Sequence, residues 1–163
     1  MHKLQSARAA MRITILVLLC GAGSVIAAHR AQAAVDTDLR AGVFMDANAV
    51  GVGAGVLTPV SGDNRWYFNP NMEVGFGDRE NIVTMNGDFH YDIPQNSNNM
   101  SVWMGAGPAL LVTDPSNGET RTNMGLNVLT GIGGTSGQVR PFAQLKGVVA
   151  NQGQVVLQGG IRF

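Results

Sequence analysis

From about residue 38 to the last residue, apolar and polar side chains alternate with a period of two, in short runs separated by Gly, Asn, Asp and Pro. Alternation of this kind puts successive side chains on opposite faces of an extended strand. The third run is the clearest: Trp66, Phe68, Pro70, Met72, Val74 and Phe76 share one face, opposite Tyr67, Asn69, Asn71, Glu73, Gly75 and Gly77. The final run, Gln154 to Phe163, sets Val155, Leu157, Gly159, Ile161 and Phe163 against Gln154, Gln158 and Arg162. Nothing after residue 33 has the 3.6-residue period of a surface helix, so the expected class is all-β.

Eight such runs are present. The first, about Asp38 to Asp46, places Leu39, Ala41, Val43 and Met45 opposite Arg40, and the second alternates Val50, Val52, Ala54 and Val56 with Gly51, Gly53 and Gly55. The fourth sets Val83, Met85, Phe89, Tyr91 and Ile93 against Thr84, Asn86, Asp88, His90 and Asp92. The sixth opposes Met124, Leu126, Val128 and Ile132 to Asn123, Gly125, Asn127 and Gly131. The seventh opposes Val139, Pro141, Ala143, Leu145, Gly147 and Val149 to Arg140, Phe142, Gln144 and Lys146. The fifth, Ser101 to Thr113, is apolar on both faces and gives no orientation. Most runs have about 9 to 12 residues, the length at which a tilted strand crosses a hydrocarbon layer. An even number joined by short turns predicts an eight-stranded antiparallel up-and-down transmembrane β-barrel. Pro70, Pro108 and Pro141 each remove a ladder donor, so bulges or strand ends are expected there.

The amino-terminal stretch differs in kind. Lys3, Arg8 and Arg12 precede an apolar run from Ile13, and Ala31-Gln32-Ala33 supplies a small-residue cleavage site, which predicts a signal peptide over 1–33 and a barrel domain over 34–163. Met11 is an alternative start, and Cys20 lacks the small preceding residue that a lipidation site wants. Four of the eleven basic residues lie in this leader and none of the eleven acidic ones do, leaving seven against eleven, a net charge of −4, and no cysteine. Disulfides are then excluded, and a nucleic-acid partner, which needs a basic stripe, is not expected.

Alternation alone fits a soluble barrel with an apolar interior as well as a membrane barrel with a polar one. The polar face here is crowded with Gly and Asn and poor in Lys and Glu, a weak solvent surface but a suitable packed lumen. The apolar face carries almost no charge, as contact with lipid requires. With both termini on the periplasmic side, Trp66, Phe68, Tyr91 and Phe163 form an aromatic girdle at one interface and Phe76 stands near the other. A soluble periplasmic lipocalin-like binder is the alternative.

The segments Pro70 to Gly77, Val102-Trp103-Met104-Gly105-Ala106-Gly107, Thr122 to Asn127 and the Ile161-Arg162-Phe163 end resemble the small eight-stranded outer-membrane β-barrel families, including the transmembrane domain of outer membrane protein A and its single-domain relatives. The resemblance implies residence in the bacterial outer membrane, contact with its lipid, and recognition of the terminal strand, Phe163 above all, by the barrel-assembly machinery. It implies a monomer with no cofactor, and with nothing after Phe163 it predicts that the peptidoglycan-binding domain of some relatives is missing.

Inward-facing ionisable candidates are Arg40, Glu73, Asp88, His90, Asp92, Arg140, Lys146 and Arg162. Pairing about a turn at 78–81 would set Glu73 near Asn86 and diagonal to Asp88, where two carboxylates repel and call for a cation. Lys146 or Arg140, across the barrel, is the expected counterion. An interior this narrow is filled by side chains, which predicts an ion-pair network in a plugged lumen, with a gated pore as the lesser reading. His90, flanked by Asp88 and Asp92, offers half of a nucleophilic triad but no adjacent serine. Outer-membrane lipid A deacylases carry a His-x-Ser arrangement facing lipid, whereas Tyr91-Asp92 follows His90 here, so no catalytic residues are expected and a lipid-modifying enzyme is the rival. A metal site from Asp88, His90 and Asp92 is a weak signal, and the Gly-rich runs at 51–55 and 131–134 precede no helix and suit wall packing better than phosphate binding. Outer loops over 46–48, 78–81, 114–121 and 151–153 are expected to be short.

Overall fold

A computed structural model describes residues 35–95, 99–151 and 153–163. The signal peptide expected over 1–33, with Met11 and Cys20, lies outside the described residues. Eight strands follow one another: β1 (Asp36–Phe44), β2 (Ala49–Pro59), β3 (Trp66–Gly77), β4 (Glu80–Ile93), β5 (Met100–Pro115), β6 (Arg121–Gly134), β7 (Arg140–Val149) and β8 (Gln154–Arg162). Each pairs with the next in antiparallel fashion and β8 closes on β1, so the sheet has no edge along the closure. Strands of 9 to 16 residues replace the narrower range expected from sequence, the longest being β5.

The partner row through Trp66, Tyr91, Met104, Thr130, Leu145, Leu157 and Val43 begins at the first residue of β3 and arrives near the last residue of β1. A perpendicular row that climbs from one end of the barrel to the other means that the strands tilt, as closure demands. The end that carries Asp36 and Arg162 is called here the terminal end, and the opposite one the distal end.

The alternation seen in sequence becomes the two faces of the wall. Outward lie Val43, Val50, Val52, Phe76, Met104, Met124, Leu126, Leu145 and Leu157, all exposed. Inward and buried lie Asp38, Arg40, Asn69, Asn71, Glu73, Thr84, Asn86, Asp88, His90, Asn127, Gln144, Lys146 and Arg162. Hydrophobic residues outside and charges inside invert the usual arrangement of a water-soluble domain. The apolar interior that a lipocalin-like binder requires is not what the described residues build.

Strand β5, unoriented in sequence, points Trp103, Ala109, Leu111 and Thr113 inward. Its apolar character on both faces has a physical reason: it supplies interior packing at two levels, Trp103 against Leu129 and Phe142, and Ala109 with Leu111 against Val148. The prolines correct a second expectation. Pairing is interrupted between Gly55↔Asn71 and Thr58↔Phe68, beside Pro70, and between Asn86↔Ala109 and Phe89↔Ala106, beside Pro108. On either side of each gap the register is the same, so no residue is inserted and neither proline makes a bulge. Pro141 stands second in β7, close to the strand end expected for it.

Outward aromatic pairs mark the terminal end, with ring centroids 5.0 Å apart for Trp66 and Tyr91 and 4.9 Å apart for Phe68 and Phe89. Turns are short at both ends. The distal connections run over 45–48, 78–79, 116–120 and 150–153, and the terminal-end ones, over 60–65, 94–99 and 135–139, are no shorter as a set.

Candidate functional site

Inside the wall the polar residues form one connected lattice, bounded at both ends by apolar side chains. At its centre Glu73 accepts from Lys146 Nζ at 2.6 Å and from Thr84 Oγ1 at 3.2 Å, and its other oxygen lies 3.5 Å from Arg40 Nη1. Arg40 Nε donates to Asp38 Oδ1 at 2.7 Å, and its Nη2 donates to Asn69 Oδ1 at 3.0 Å. Lys146 crosses the lumen from β7 to β3, a reach that ties together strands that are not neighbours.

Glu73 is paired directly with Thr84, and Asn86 becomes its diagonal neighbour, bonded to the same Thr84 hydroxyl at 3.1 Å, because β3 and β4 are joined by two residues, Asp78 and Arg79. The shorter turn moves the register by two residues and separates Glu73 from Asp88. Asp88 is held by amides, accepting from Asn71 Nδ2 at 2.9 Å and Asn127 Nδ2 at 2.7 Å. Asn86 links the two halves, donating to Asn71 Oδ1 at 2.8 Å while its own Oδ1 accepts from Asn127 at 2.9 Å. Asparagine suits this place because each amide both donates and accepts, so a ladder of them satisfies its neighbours without adding charge.

The distal side of the lattice is covered by Phe44, Ala47, Ala49, Ile82 and Val156. On the terminal side the Trp103 indole lies against Leu129 and Phe142 and donates its Nε1 hydrogen to Gln144 Oε1 at 3.2 Å. The Arg162 guanidinium carbon stands 4.2 Å from the Trp103 ring centroid and 4.8 Å from that of Phe142. His90 stacks on Trp103 with a centroid separation of 6.2 Å and an interplanar angle of 5°. Arg140 is not in the lattice: it pairs with Asp36 at the partly exposed mouth, because it is the first residue of β7. Asp92 accepts from Ser101 Oγ at 2.7 Å beside that mouth.

Of the residues singled out in sequence, the structure therefore brings Arg40, Glu73 and Lys146 together, gives Asp88 to the asparagines, stacks His90 and Arg162 on aromatic rings, and leaves Arg140 at the mouth. Phe163 follows β8 and is half exposed, its backbone N–H and C=O paired with Thr37 at 2.9 Å each. Sequence reading missed Asp38, which shares a face with Arg40 two residues away and is its closest partner. It also missed the asparagine ladder, whose signal was Asn at inward positions of three strands.

The inward glycines have a steric cause. A Cβ at Gly53 would lie 2.7 Å from Glu73 Cγ, one at Gly131 2.4 Å from the Trp103 ring, and one at Gly160 2.7 Å from Phe142. Bare wall at these points is what lets charged and aromatic side chains lie across the lumen. His90 Nε2 has no hydrogen-bond partner among the described residues. No group of three or more His, Cys, Asp and Glu suited to a metal ion occurs among the described residues.

No protein-family model matches the chain, and no curated protein is similar to it in sequence. Solved structures match its shape. The N-terminal β-barrel domain of OprF from Pseudomonas aeruginosa superposes with a TM-score of 0.62 at 14% identity, covering 81% of this chain and 98% of that one. Neisserial surface protein A superposes at 0.60 with 18% identity over 78% and 92%, and the outer membrane enzyme PagL at 0.51 with 10% identity over 78% and 98%. The chain thus has the fold of the small eight-stranded, antiparallel, up-and-down transmembrane β-barrels.

Proposed function

We propose that this protein is an integral outer-membrane β-barrel, whose role is structural or interactive and whose lumen is plugged by its own side chains. The observation that carries the reading is the inverted wall: large apolar side chains exposed outside, with Arg40, Glu73, Lys146 and Asp88 buried inside. In water such a molecule would expose an apolar belt on all sides, whereas in a bilayer the same belt exchanges lipid–lipid contacts for equally apolar protein–lipid contacts. The plug rests on the cross-lumen bond from Lys146 to Glu73 and on the apolar cover around Phe44 and Ile82. An eight-stranded barrel has an interior just wide enough for such side chains. Short distal turns leave little surface for a large receptor, so partners are expected to be lipid and, during assembly, the machinery that reads the β8 strand and Phe163.

Membrane fractionation with a heat-modifiability gel tests this. The expected result is detergent-dependent extraction and a folded band that migrates differently from the boiled one. Recovery in the soluble fraction would overturn it. A rival reading as a lipid-modifying enzyme gains weight only from the shape of PagL. It requires a reactive hydroxyl beside His90, which instead lies inside the barrel against Trp103. Unchanged membrane lipid on expressing the protein, and no effect of His90→Ala, are the expected results.

A further inference from the structure

The outer wall holds a groove of about 770 Å³, running across β3 to β7. We propose that this groove seats one acyl chain of a glycerophospholipid whose phosphate lies at the terminal end of the barrel. The inference rests on the membrane reading given above.

The groove exists because the outward side chains along its floor are small. Ala106 and Gly147 leave space between Phe89 and Met104 on one side and Leu145 on the other. Thr130 turns its hydroxyl away, donating Oγ1 to the backbone oxygen of Trp103 at 3.0 Å, and so presents its methyl group to the groove. Gly147 is unlike the inward glycines. A Cβ there would meet nothing closer than 3.9 Å, so packing of the wall does not require its bareness. The lining is almost wholly apolar, with the polar tips of Trp66 and Tyr91 at its rim.

Shape and position select the occupant. From β3 to β7 the groove crosses four strand spacings of about 4.8 Å, or about 19 Å, the extent of a long acyl chain laid across the strands. It follows the tilted partner row from Trp66 and Tyr91 to Leu145, so it rises from the terminal end towards the middle of the wall. Trp66 and Tyr91 stand at its lower rim, 5.0 Å apart, and amphipathic rings of this kind favour the level of the lipid ester and phosphate groups. Arg65, which precedes Trp66 in the turn, is half exposed and only loosely paired with Asp63 at 4.0 Å, leaving donors for a phosphodiester. The volume lies within the range of about 300–1,000 Å³ over which proteins hold small ligands.

The test uses the full mature chain folded into vesicles of phosphatidylcholine and phosphatidylglycerol, extracted in mild detergent and weighed by native mass spectrometry. The expected result is one phospholipid retained per barrel, falling at least fivefold in Ala106→Phe/Gly147→Leu. Val50→Phe, equally bulky but on β2 and away from the groove, should retain lipid like the unmodified chain. Gly147→Leu alone, which the open space tolerates, serves if the double variant does not fold, and should also lower retention. Equal retention by a filled groove in a heat-modifiable membrane barrel overturns this proposal alone. Preferential retention of lipopolysaccharide when both lipids are supplied overturns it too, as does a dimer that buries the groove. A soluble protein overturns the membrane reading together with it.

Discussion

Two arginines enter the same lumen and are accommodated by opposite means. Arg40, on β1, lies between two carboxylates, Asp38 and Glu73, and donates to Asn69 as well, with the Phe142 ring farther off at 5.8 Å and its Nη1 without a hydrogen-bond partner among the described residues. Arg162, on β8, lies over the faces of Trp103 and Phe142, and its Nε has no hydrogen-bond partner among the described residues. The first cation is paired with formal charge, and the second lies against ring faces near the terminal end of the lumen. Buried ion pairs are expensive to disrupt because removal of one member leaves the other uncompensated, whereas a cation over a ring contributes less and is lost more cheaply. The two layers of one lumen should therefore answer differently to the same kind of substitution.

The largest effect is expected at the centre of the lattice. Glu73→Gln leaves Lys146 and one side of Arg40 without their counter-charge, which should cost about 3–5 kcal/mol of stability, as measured by urea unfolding in a detergent or lipid host. Combining it with Lys146→Met removes the stranded cation and should recover much of that loss. If the double variant were no more stable than the single one, the bond from β7 to β3 would not be what holds the layer, and the contrast with Arg162 would fail.

The aromatic layer responds first to volume. Gly131→Ala places a methyl group 2.4 Å from the Trp103 ring, which must shift and disturb its stack with His90 and Arg162. Overpacking of this kind costs about 1–3 kcal/mol, and a change in tryptophan near-ultraviolet dichroism should accompany it. Arg162→Gln removes the cation and keeps an amide, with an expected cost of about 0.5–2 kcal/mol, smaller than that of Glu73→Gln. An equal or larger cost would mean that Arg162 is held chiefly by carboxylates, Asp38 within the lattice and Asp36 at the mouth, and would dissolve the distinction between the layers.

How much of this was legible in sequence follows from the same geometry. A period of two is a property of each strand alone, so the strands and, for all but β5, their facing could be read without partners. Contacts across the lumen depend on register and tilt, which a single sequence carries only through its turns. The two-residue turn at Asp78 and Arg79 was read as four, and that alone moved Glu73 from Asn86 to Thr84. Lys146 was nevertheless among the counterions expected for Glu73, because an eight-stranded barrel sets β7 against β3 whatever the register. Trp103 was hidden for a different reason: its strand is apolar on both faces, and alternation cannot orient such a strand. Asp38 and Arg40 share a face at a spacing of two, so their contact needs no register and is legible within β1 alone.

The smallest effect lies outside the wall, at a carboxylate that belongs to neither layer. In the turn before β3, Asp63 is exposed, and the hydroxyl of Ser61, donating to its Oδ1, holds its carboxyl below the ordinary aspartate value, with the Arg65 backbone N–H assisting at 3.2 Å. A depressed value means that the folded turn favours the ionised form, so its contribution is present above the unfolded aspartate value and fades as pH falls through the folded one. In Ser61→Ala the carboxyl should return towards its ordinary value, read by NMR titration of Asp63, while urea unfolding at neutral pH is nearly unchanged because an exposed group is screened by water. A stability loss comparable to that of Arg162→Gln would instead show that this turn is coupled to the lumen, and that the mouth, with Arg140 and Asp36, is part of the load-carrying lattice.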